Sequence, residues 1–295
     1  MIPTSRSDAL YRLGLMPALM GLGHLAPAIG AIHTALGSYR FPRALLWLIG
    51  TASALVDSQD TYKDLPPPSR PRKWIWRLWI YSLWAIIMTC TFLSGMETSI
   101  RIYQFSLIGL LWGTPCIPHF SASSGMNLSK PKTVLREWKS LIAAISMGCV
   151  TAGSSMFHVC QRDVQCNDQS LQTRSLCLSI LYQFFRETAC DIRDIAEDTE
   201  DGMKTLPVRL GKGNTVLLMS VVGLILDGLL TGGVDRSLQV VPSLAFQSVV
   251  RIGFTMCVYS RILRYPRENY WAWGFMSLFG LVPVLSAQLC LLNSK

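Results

Sequence analysis

Apolar stretches close to the length of a bilayer crossing recur along almost the whole 295-residue chain. Half of the residues are hydrophobic and only 15% are charged, so these stretches lack the polar face of a soluble surface helix. Several approach the roughly 20 residues that span a bilayer. The stretches are 12–36, 42–57, 74–94, 101–120, 138–160, 174–190, 214–233, 238–260 and 271–292. They predict an all-α integral membrane protein of about nine transmembrane helices in a single domain, residues 1–295, and disfavour a large soluble helical core.

The formal net charge of +9 does not indicate nucleic-acid binding, because the basic residues form no single stripe or domain. They fall mainly in alternate loops, which follow the second, fourth, sixth and eighth apolar stretches. Cytosolic loops of membrane proteins carry an excess of lysine and arginine, so we place these loops and the N-terminus in the cytosol. We expect a multi-pass protein without a cleavable signal peptide, located in the endoplasmic reticulum if the cell is eukaryotic.

An acidic pattern, DxxDxxxD, occurs twice, each time where an apolar stretch ends on the predicted cytosolic side. The two copies are Asp57, Asp60 and Asp64, and Asp191, Asp194 and Asp198. Spacings of three and four residues place the three carboxylates of a copy on one face of a helix, over roughly 10 Å. Carboxylates this close repel one another unless cations neutralise them. Mg²⁺ prefers oxygen ligands and bridges to phosphate oxygens, so the pattern predicts a diphosphate held by metal ions at the membrane surface.

Basic residues lie close to both copies and complete a site for this chemistry. Arg70 follows the first copy and Lys204 follows the second. Breaking an allylic C–O bond leaves inorganic diphosphate, whose charge metal ions and basic groups stabilise, and a carbocation, which needs a dry cavity with aromatic walls. The aromatic candidates, each of which also suits an interfacial anchor, are Trp76, Trp79, Trp84, Phe92, Trp112, Tyr182, Phe184, Phe185, Trp271, Trp273 and Phe275.

Three other interpretations remain beside this one. The acids can be exposed helix ends, although three lie in Asp57–Asp64 and seven in Glu187–Asp201, together ten of the eighteen in the chain. A transporter needs charges along an ion path, and the main mid-helix charges, Asp227 and Arg251, can simply pair with each other. A structural zinc site lacks a CxxC pair, while Cys160 and Cys166 flank a predicted non-cytosolic loop and can form a disulfide.

The second acidic window resembles a known family. Residues Glu187 to Lys212, ETACDIRDIAEDTEDGMKTLPVRLGK, are similar to the second aspartate-rich motif of the UbiA superfamily of intramembrane prenyltransferases. The resemblance continues past the acids, through the GxKTLPxRLG run that begins at Gly202. The first motif is similar but altered, because Val56 stands where the family commonly has Asn, and Pro67 stands where it has Lys before PxRP. The number of apolar stretches and the motif positions also agree with the family.

The resemblance implies a nine-helix bundle around a central cavity, with Mg²⁺ and an isoprenyl diphosphate at its cytosolic mouth. It implies metal ligation by Asp57, Asp60, Asp64, Asp191, Asp194 and Asp198, with the last three as the catalytic acids. Arg70 and Lys204 would contact the diphosphate, and the weaker candidates Lys132 and Lys139 come from the loop after the fourth helix. The implied partners are the isoprenyl diphosphate and membrane lipid.

The family implies two outcomes after ionisation. Most members transfer the prenyl group to an acceptor such as an aromatic acid, a quinone precursor or a glycerol phosphate, whereas a smaller set cyclises the prenyl diphosphate without an acceptor. The altered first motif, with Ser58 and Gln59 after Asp57, is closer to the cyclase variant, so we favour a terpene cyclase over a prenyltransferase. No acceptor base can be named, because His24, His33, His119 and His158 are scattered along the chain.

Overall fold

The structure, a computed structural model, describes residues 11–38, 41–65, 70–112, 114–121, 125–162, 166–200, 202–232, 241–265 and 270–293. Within these residues the chain is helical apart from one β-hairpin. The helices are α1 (Met16–Gly23), α2 (Leu25–Leu36), α3 (Arg43–Asp64), α4 (Lys73–Ser94), α5 (Met96–Leu111), α6 (Pro131–Val134), α7 (Lys139–Gly148), α8 (Ser154–Arg162), α9 (Gln169–Arg193), α10 (Ile195–Glu200), α11 (Leu206–Thr231), α12 (Pro242–Ile262), α13 (Tyr270–Gly280) and α14 (Val282–Asn293).

Five helical segments are long and apolar enough to cross a membrane. They are Tyr11–Leu36, Lys73–Ser94, Arg136–Gln161, Leu206–Thr231 and Ala272–Leu291. Large apolar side chains on their outer faces, such as Phe92 at 88% exposure and Leu217 at 62%, are placed to meet lipid. These segments support an integral membrane protein. The count of nine crossings and the single-domain boundaries stay predictions.

The first crossing is not one regular helix. Residues Tyr11–Leu15 form a π-helical turn, α1 follows, and α2 begins after a break at His24. The break follows from Pro27, which has no N–H to donate to the carbonyl of Gly23 and whose ring would collide with it. The break places the His24 side chain inside the bundle, with 2% of its surface exposed.

The fourth predicted stretch, 101–120, is too long, and this part of the all-α prediction is wrong. Helix α5 ends at Leu111, and the chain then forms a hairpin of strands β1 (Ile117–Ser121) and β2 (Gly125–Ser129). The strands pair antiparallel with Ile117 opposite Ser129. Pro115 and Pro118 explain the difference, because each removes a helix donor and disfavours helical geometry in the residue before it.

Helix α9 lies between two apolar cores. One core groups side chains of α2, α3, α4 and α5, including Ile32, Leu48 and Ile87. The other joins α9 to the C-terminal helices through side chains such as Phe185 and Trp273. Its position between the cores lets α9 present its acidic C-terminal end to helices from both halves of the chain.

A close approach of α1 to α3 depends on two glycines. A Cβ atom built on Gly21 would lie 2.4 Å from the carbonyl oxygen of Gly50, much closer than van der Waals contact. Glycine therefore lets the two backbones touch. This crossing brings the His24 end of α1 next to the helix that carries the first acidic motif.

Two sequence expectations about pairing are confirmed. Cys160 and Cys166 form a disulfide. Asp227 and Arg251 form a buried ion pair between α11 and α12, with the Nη2 atom 2.5 Å from Oδ1, and the Tyr182 hydroxyl donates to Asp227 Oδ2 at 2.9 Å. These contacts join α9, α11 and α12. Since the two mid-helix charges neutralise each other, they give no support to an ion path.

Candidate active site

The first acidic motif lies on the last two turns of α3. Asp57 and Asp60 line a cavity of about 130 Å³, which we call the motif cavity. Asp64 is the last residue of α3, and its side chain lies outside the described part of the chain. The other residues that line the motif cavity are His24, Ser53, Val56, Ile108, Gly109, Trp112, Ala143, Ser146, Met147, Arg186 and Glu187.

Ser58 sets the rotation of α3 about its axis. Its fully buried hydroxyl donates to the Leu13 carbonyl at 3.1 Å and accepts a hydrogen bond from Trp79 Nε1 at 3.1 Å. These bonds tie one face of α3 to the N-terminal turn and to α4. The neighbouring face of α3, which carries Asp57 and Asp60, lines the motif cavity. Ser58 follows Asp57 in the first motif, and its hydrogen bonds give it a positioning role.

Arg70, a predicted diphosphate ligand, caps the end of α3 in this structure. Its Nε donates to the Leu65 carbonyl at 2.8 Å and its Nη2 to the Lys63 carbonyl at 3.2 Å. The guanidinium also lies 5.1 Å from the centre of the Tyr62 ring, which stacks on Trp76. Arg70 therefore satisfies backbone carbonyls at the end of α3, and its contact with diphosphate stays a prediction.

The second motif begins in the last turn of α9. Asp191 is buried, with 3% of its surface exposed. Its Oδ1 lies 2.6 Å from Lys139 Nζ, and its Oδ2 accepts a short hydrogen bond from the Ser140 hydroxyl. Lys139 and Ser140 are the first two residues of α7, so these contacts hold the beginning of α7 against the end of α9.

Asp194 lies at the junction between α9 and α10, and its carboxylate meets the guanidinium of the preceding residue. Arg193 donates from Nε to Oδ1 and from Nη2 to Oδ2, both at 2.6 Å. The same guanidinium lies 4.7 Å from the centre of the buried Trp273 ring. The aromatic ring and the carboxylate together hold Arg193 at the end of α9.

Asp198 lies on α10 and is 2% exposed. Its Oδ2 accepts a hydrogen bond from the Thr205 hydroxyl at 3.1 Å and lies 3.8 Å from Lys139 Nζ. Burial raises the pKa of this carboxyl, and the nearby Lys139 charge opposes that rise. The chain returns to Thr205 through Gly202, which has a φ of 68°, a value that favours glycine. The GxKT run beyond the acids therefore forms the turn that brings Thr205 back to Asp198.

The remaining predicted ligands lie apart from these contacts or cannot be placed. Lys204 is exposed on the turn between α10 and α11. The side chain of Lys132, on α6, lies outside the described part of the chain. Of the predicted basic ligands, Lys139 contacts the second motif, with its ammonium close to both Asp191 and Asp198.

Sequence reasoning missed Arg186, which occupies the space between the two motifs. It is 6% exposed, its Nη1 lies 2.6 Å from Glu187 Oε1 and 3.3 Å from His24 Nε2, and its charge acts on Asp57. Arg193 also acts on Asp57 from the end of α9. The signal that could have identified it is an arginine inside the apolar stretch 174–190, five residues before Asp191. These interactions join the first motif to the helix of the second.

The carboxylates of the two motifs are chemically suitable ligands for Mg²⁺. Those of the second motif are already paired with Lys139 and Arg193. Carboxylate oxygens are the ligands that Mg²⁺ prefers, and Lys139 Nζ marks a point where Asp191 and Asp198 together face one positive charge. Among the described residues no three acidic, histidine or cysteine side chains converge closely enough to hold a metal ion. Metal binding would therefore require Lys139 to move or the acids to change rotamer.

Comparisons with known proteins identify the family and the fold of the chain. The family model described as VviA prenyltransferase matches residues 7–291. A UbiA homologue from Archaeoglobus fulgidus, solved with Cd²⁺, superposes with a TM-score of 0.53 at 13% identity, over 95% of this chain and 98% of that one. The structure of a digeranylgeranylglyceryl phosphate synthase superposes over 97% of this chain and 97% of that one, at 14% identity and with a TM-score of 0.47. No curated protein matches the sequence.

The family match extends over almost the whole chain and supports an enzyme that acts on prenyl substrates. The superposition on the Archaeoglobus protein supports a common fold at low sequence identity. The predicted membership of a prenyltransferase family with the UbiA fold is thereby confirmed. The chain belongs to the VviA prenyltransferase family, with the fold of UbiA homologues.

Proposed function

We propose that the protein ionises an isoprenyl diphosphate of the farnesyl or geranylgeranyl class with the help of Mg²⁺, and that the resulting cation cyclises to a terpene within the membrane. One observation carries the proposal. The motif cavity is lined by Asp57 and Asp60 of the first motif and by Arg186 and Glu187 on the helix of the second. The first acidic motif and the helix that carries the second motif thus line one space.

The charges around this space suit a diphosphate head group that brings cations with it. Among the described residues, Lys139 and Arg193 pair with the second-motif acids Asp191, Asp194 and Asp198. Arg186 pairs with Glu187 and lines the motif cavity together with Asp57 and Asp60. Acids exceed bases, so a diphosphate alone would be repelled. Asp191, Asp194 and Asp198 with the first-motif acids would hold Mg²⁺, which stabilises the negative charge of the leaving group when bound.

The basic side chains of the protein would assist bond cleavage by donating hydrogen bonds to the diphosphate. Lys139 and Arg193 already lie among the second-motif acids, and rotation of either side chain would let its N–H groups donate to diphosphate oxygens. Lys204 is exposed on the adjacent turn and would add a further donor. Donors placed before the reaction stabilise the charge that develops as the C–O bond breaks.

Apolar side chains of the motif cavity favour reactions of the carbocation inside the protein. Val56, Ile108 and Met147 line the cavity and limit access of water to the cation. Trp112, one of the aromatic candidates, also lines the cavity, and aromatic rings can stabilise positive charge. Cyclisation is favoured over transfer by the altered flanks of the first motif.

Transfer of the prenyl group to an aromatic or other lipophilic acceptor is the second candidate. The description of the matching family as a prenyltransferase favours it. The two candidates differ in whether a second substrate is required. The full-length protein in lipid nanodiscs, given Mg²⁺ and either prenyl diphosphate alone, should release diphosphate and a cyclic product. Turnover only after an acceptor is added would reject cyclisation and support transfer.

We also propose that the mouth of the site faces the cytosol. The Cys160–Cys166 disulfide supports this orientation, because it lies at the opposite end of the predicted topology, and disulfides persist in oxidising compartments. A cysteine placed at exposed Lys204 should react with a membrane-impermeant maleimide only after the cytosolic face is opened. Labelling in intact, sealed cells would contradict the orientation.

A further inference from the structure

An exposed basic patch lies where α11 and α12 meet, outside the contacts of the candidate active site. It consists of Lys212 on α11 and of Arg261 and Arg264 at the end of α12, and we call it the α11–α12 patch. All three residues are exposed. Among the described residues, none of the three forms an ion pair with an acid, whereas Arg209, earlier on α11, pairs with Glu137. The described acids therefore leave three positive charges without a counter-ion.

A hydrogen bond between the two helices brings these charges to one place. Lys212 Nζ donates to the Leu263 carbonyl at 3.4 Å. Leu263 is the C-cap of α12 and lies between Arg261 and Arg264 in the sequence. The last carbonyls of a helix carry partial negative charge and attract cations. The ammonium of α11 and the two arginines of α12 therefore share one helix end, where their like charges repel one another.

Apolar side chains that are placed to meet lipid lie next to the patch on both helices. On α11, Leu217 is 62% exposed and lies five residues from Lys212, a rise of about 8 Å. On α12, Phe254 is 47% exposed and lies seven residues from Arg261, a rise of about 10 Å. Tyr265 follows the patch, is 44% exposed and suits the boundary between lipid and water. The patch therefore lies at the level of lipid head groups.

Position and charge together define the chemistry of a partner. Phosphate oxygens accept several hydrogen bonds, and a guanidinium donates to them in pairs. A phospholipid with a negatively charged head group supplies such a phosphate, and its chains cover the apolar side chains beside the patch. An acidic segment of a soluble protein would meet the charges but not these apolar side chains. The arrangement therefore favours an anionic phospholipid.

Membrane topology alone is the simpler explanation for positive charge at this end of the bundle. Basic residues on the cytosolic side orient a membrane protein whatever their arrangement. Arg72 and Lys73 at the start of α4 need no further explanation, because they are neighbours in one segment. The α11–α12 patch differs in that it combines charges from two segments far apart in the sequence, which the hydrogen bond of Lys212 joins.

We propose that the α11–α12 patch binds the phosphate of one anionic phospholipid, which neutralises the three cations and holds the ends of α11 and α12 together. The chains of this lipid lie along Leu217 and Phe254. Because a ligand that binds only the folded protein stabilises it, the bound lipid also raises resistance to unfolding. The inference goes beyond the proposed function and does not depend on it, since it requires neither metal binding by the acids nor turnover.

The first test identifies the occupant. Full-length protein in detergent is mixed with equal amounts of phosphatidylglycerol, which is anionic, and phosphatidylcholine, which is zwitterionic, and the retained lipid is measured by native mass spectrometry. We expect phosphatidylglycerol to be retained at least about tenfold more than phosphatidylcholine. Equal retention of the two lipids overturns the proposal. Displacement of phosphatidylglycerol by equimolar glycerophosphoglycerol, its head group without chains, or by a poly-glutamate peptide also overturns it, because the occupant then needs no lipid chains.

The second test assigns the retention to the patch. The measured quantity is the ratio of retained phosphatidylglycerol to phosphatidylcholine, which is independent of the amount of folded protein. We expect Arg261→Gln/Arg264→Gln to lower this ratio at least about fivefold and Lys212→Gln to lower it about twofold or more. Arg72→Gln/Lys73→Gln is the matched control, because it removes two charges from the start of α4, and it should leave the ratio nearly unchanged.

Equal losses in Arg261→Gln/Arg264→Gln and in Arg72→Gln/Lys73→Gln would assign the retention to net charge and overturn the proposal. An unchanged ratio in Lys212→Gln and in the double arginine variant would overturn it as well. Thermal unfolding gives an independent measurement. Phosphatidylglycerol should raise the unfolding midpoint of the unmodified protein and of the α4 control variant, and this rise should be lost in Lys212→Gln even if the double arginine variant folds poorly.

Discussion

The ammonium of Lys139 lies 2.6 Å from Asp191 Oδ1, across the interface between α7 and α9, and 3.8 Å from Asp198 Oδ2. The chain thus supplies its own cation to two acids for which Mg²⁺ is the expected partner. A divalent ion and this ammonium compete for the same carboxylates.

This competition predicts that Lys139→Met binds metal more tightly when no substrate is present. Removing the ammonium leaves two buried carboxylates without their cation, which a metal ion then relieves. We expect the affinity for Mn²⁺, as a probe, to rise at least about tenfold, on the order of 1.4 kcal/mol. Titration of purified protein with Mn²⁺, followed by electron paramagnetic resonance, measures it. Lys204→Met is the matched control, and an equal or weaker affinity in Lys139→Met would show that the lysine does not compete.

The second motif should be needed for diphosphate release. Asp191→Asn removes a charged oxygen ligand while keeping the side-chain volume, so release should fall by at least about 100-fold. The assay follows inorganic diphosphate from the prenyl substrate in nanodiscs. Asp168→Asn is the control, because it makes the same chemical change at the exposed N-cap of α9, where the aspartate side chain makes no capping hydrogen bond. Full release by Asp191→Asn would favour the transporter or structural interpretation.

The crossing of α1 and α3 should tolerate no side chain at Gly21. Gly21→Ala would place Cβ 2.4 Å from the Gly50 carbonyl oxygen, and separating the helices to relieve this overlap should cost about 1–3 kcal/mol. Thermal unfolding in detergent should show a lower midpoint. Gly253→Ala is the control, because a Cβ at that helix position meets nothing within 4 Å. Equal midpoints for the two variants would mean that the backbones can separate freely.

The Asp227–Arg251 pair should act as a structural tie. Among the described residues, Arg251→Met leaves the buried Asp227 carboxylate with only the Tyr182 hydroxyl as a partner, and the loss should destabilise the protein by about 3–5 kcal/mol. The double variant Asp227→Leu/Arg251→Met removes both charges and should recover much of this loss. Thermal unfolding of the single and double variants gives the coupling energy between the two residues. No recovery in the double variant would assign the loss to Arg251 contacts other than Asp227.

Local features of the sequence predict the membrane helices and the ends at which the acids lie. Length and hydropathy are properties of one segment, and carboxylate spacing along a helix is set by its rise and turn. Hydropathy alone predicted a helix that continues to residue 120, through Pro115 and Pro118. The backbone preferences of these prolines instead end α5 before them, and a hairpin follows. The roles of Ser58 and Gly202 became clear only from the structure. Ser58 fixes the rotation of α3 through its hydrogen bonds, and Gly202 allows the turn that brings Thr205 to Asp198.

The sequence by itself determined the class of fold, the two acidic motifs and the family resemblance, because each depends on residues close together in the chain. Only the tertiary structure decided which basic side chain pairs with which acid and which side chains line the motif cavity. Arg186 and His24 are 162 residues apart, and their contact depends on the packing of α9 against the break between α1 and α2. Hydrophobic burial sets that packing without regard to sequence distance, so no local pattern could reveal these partners.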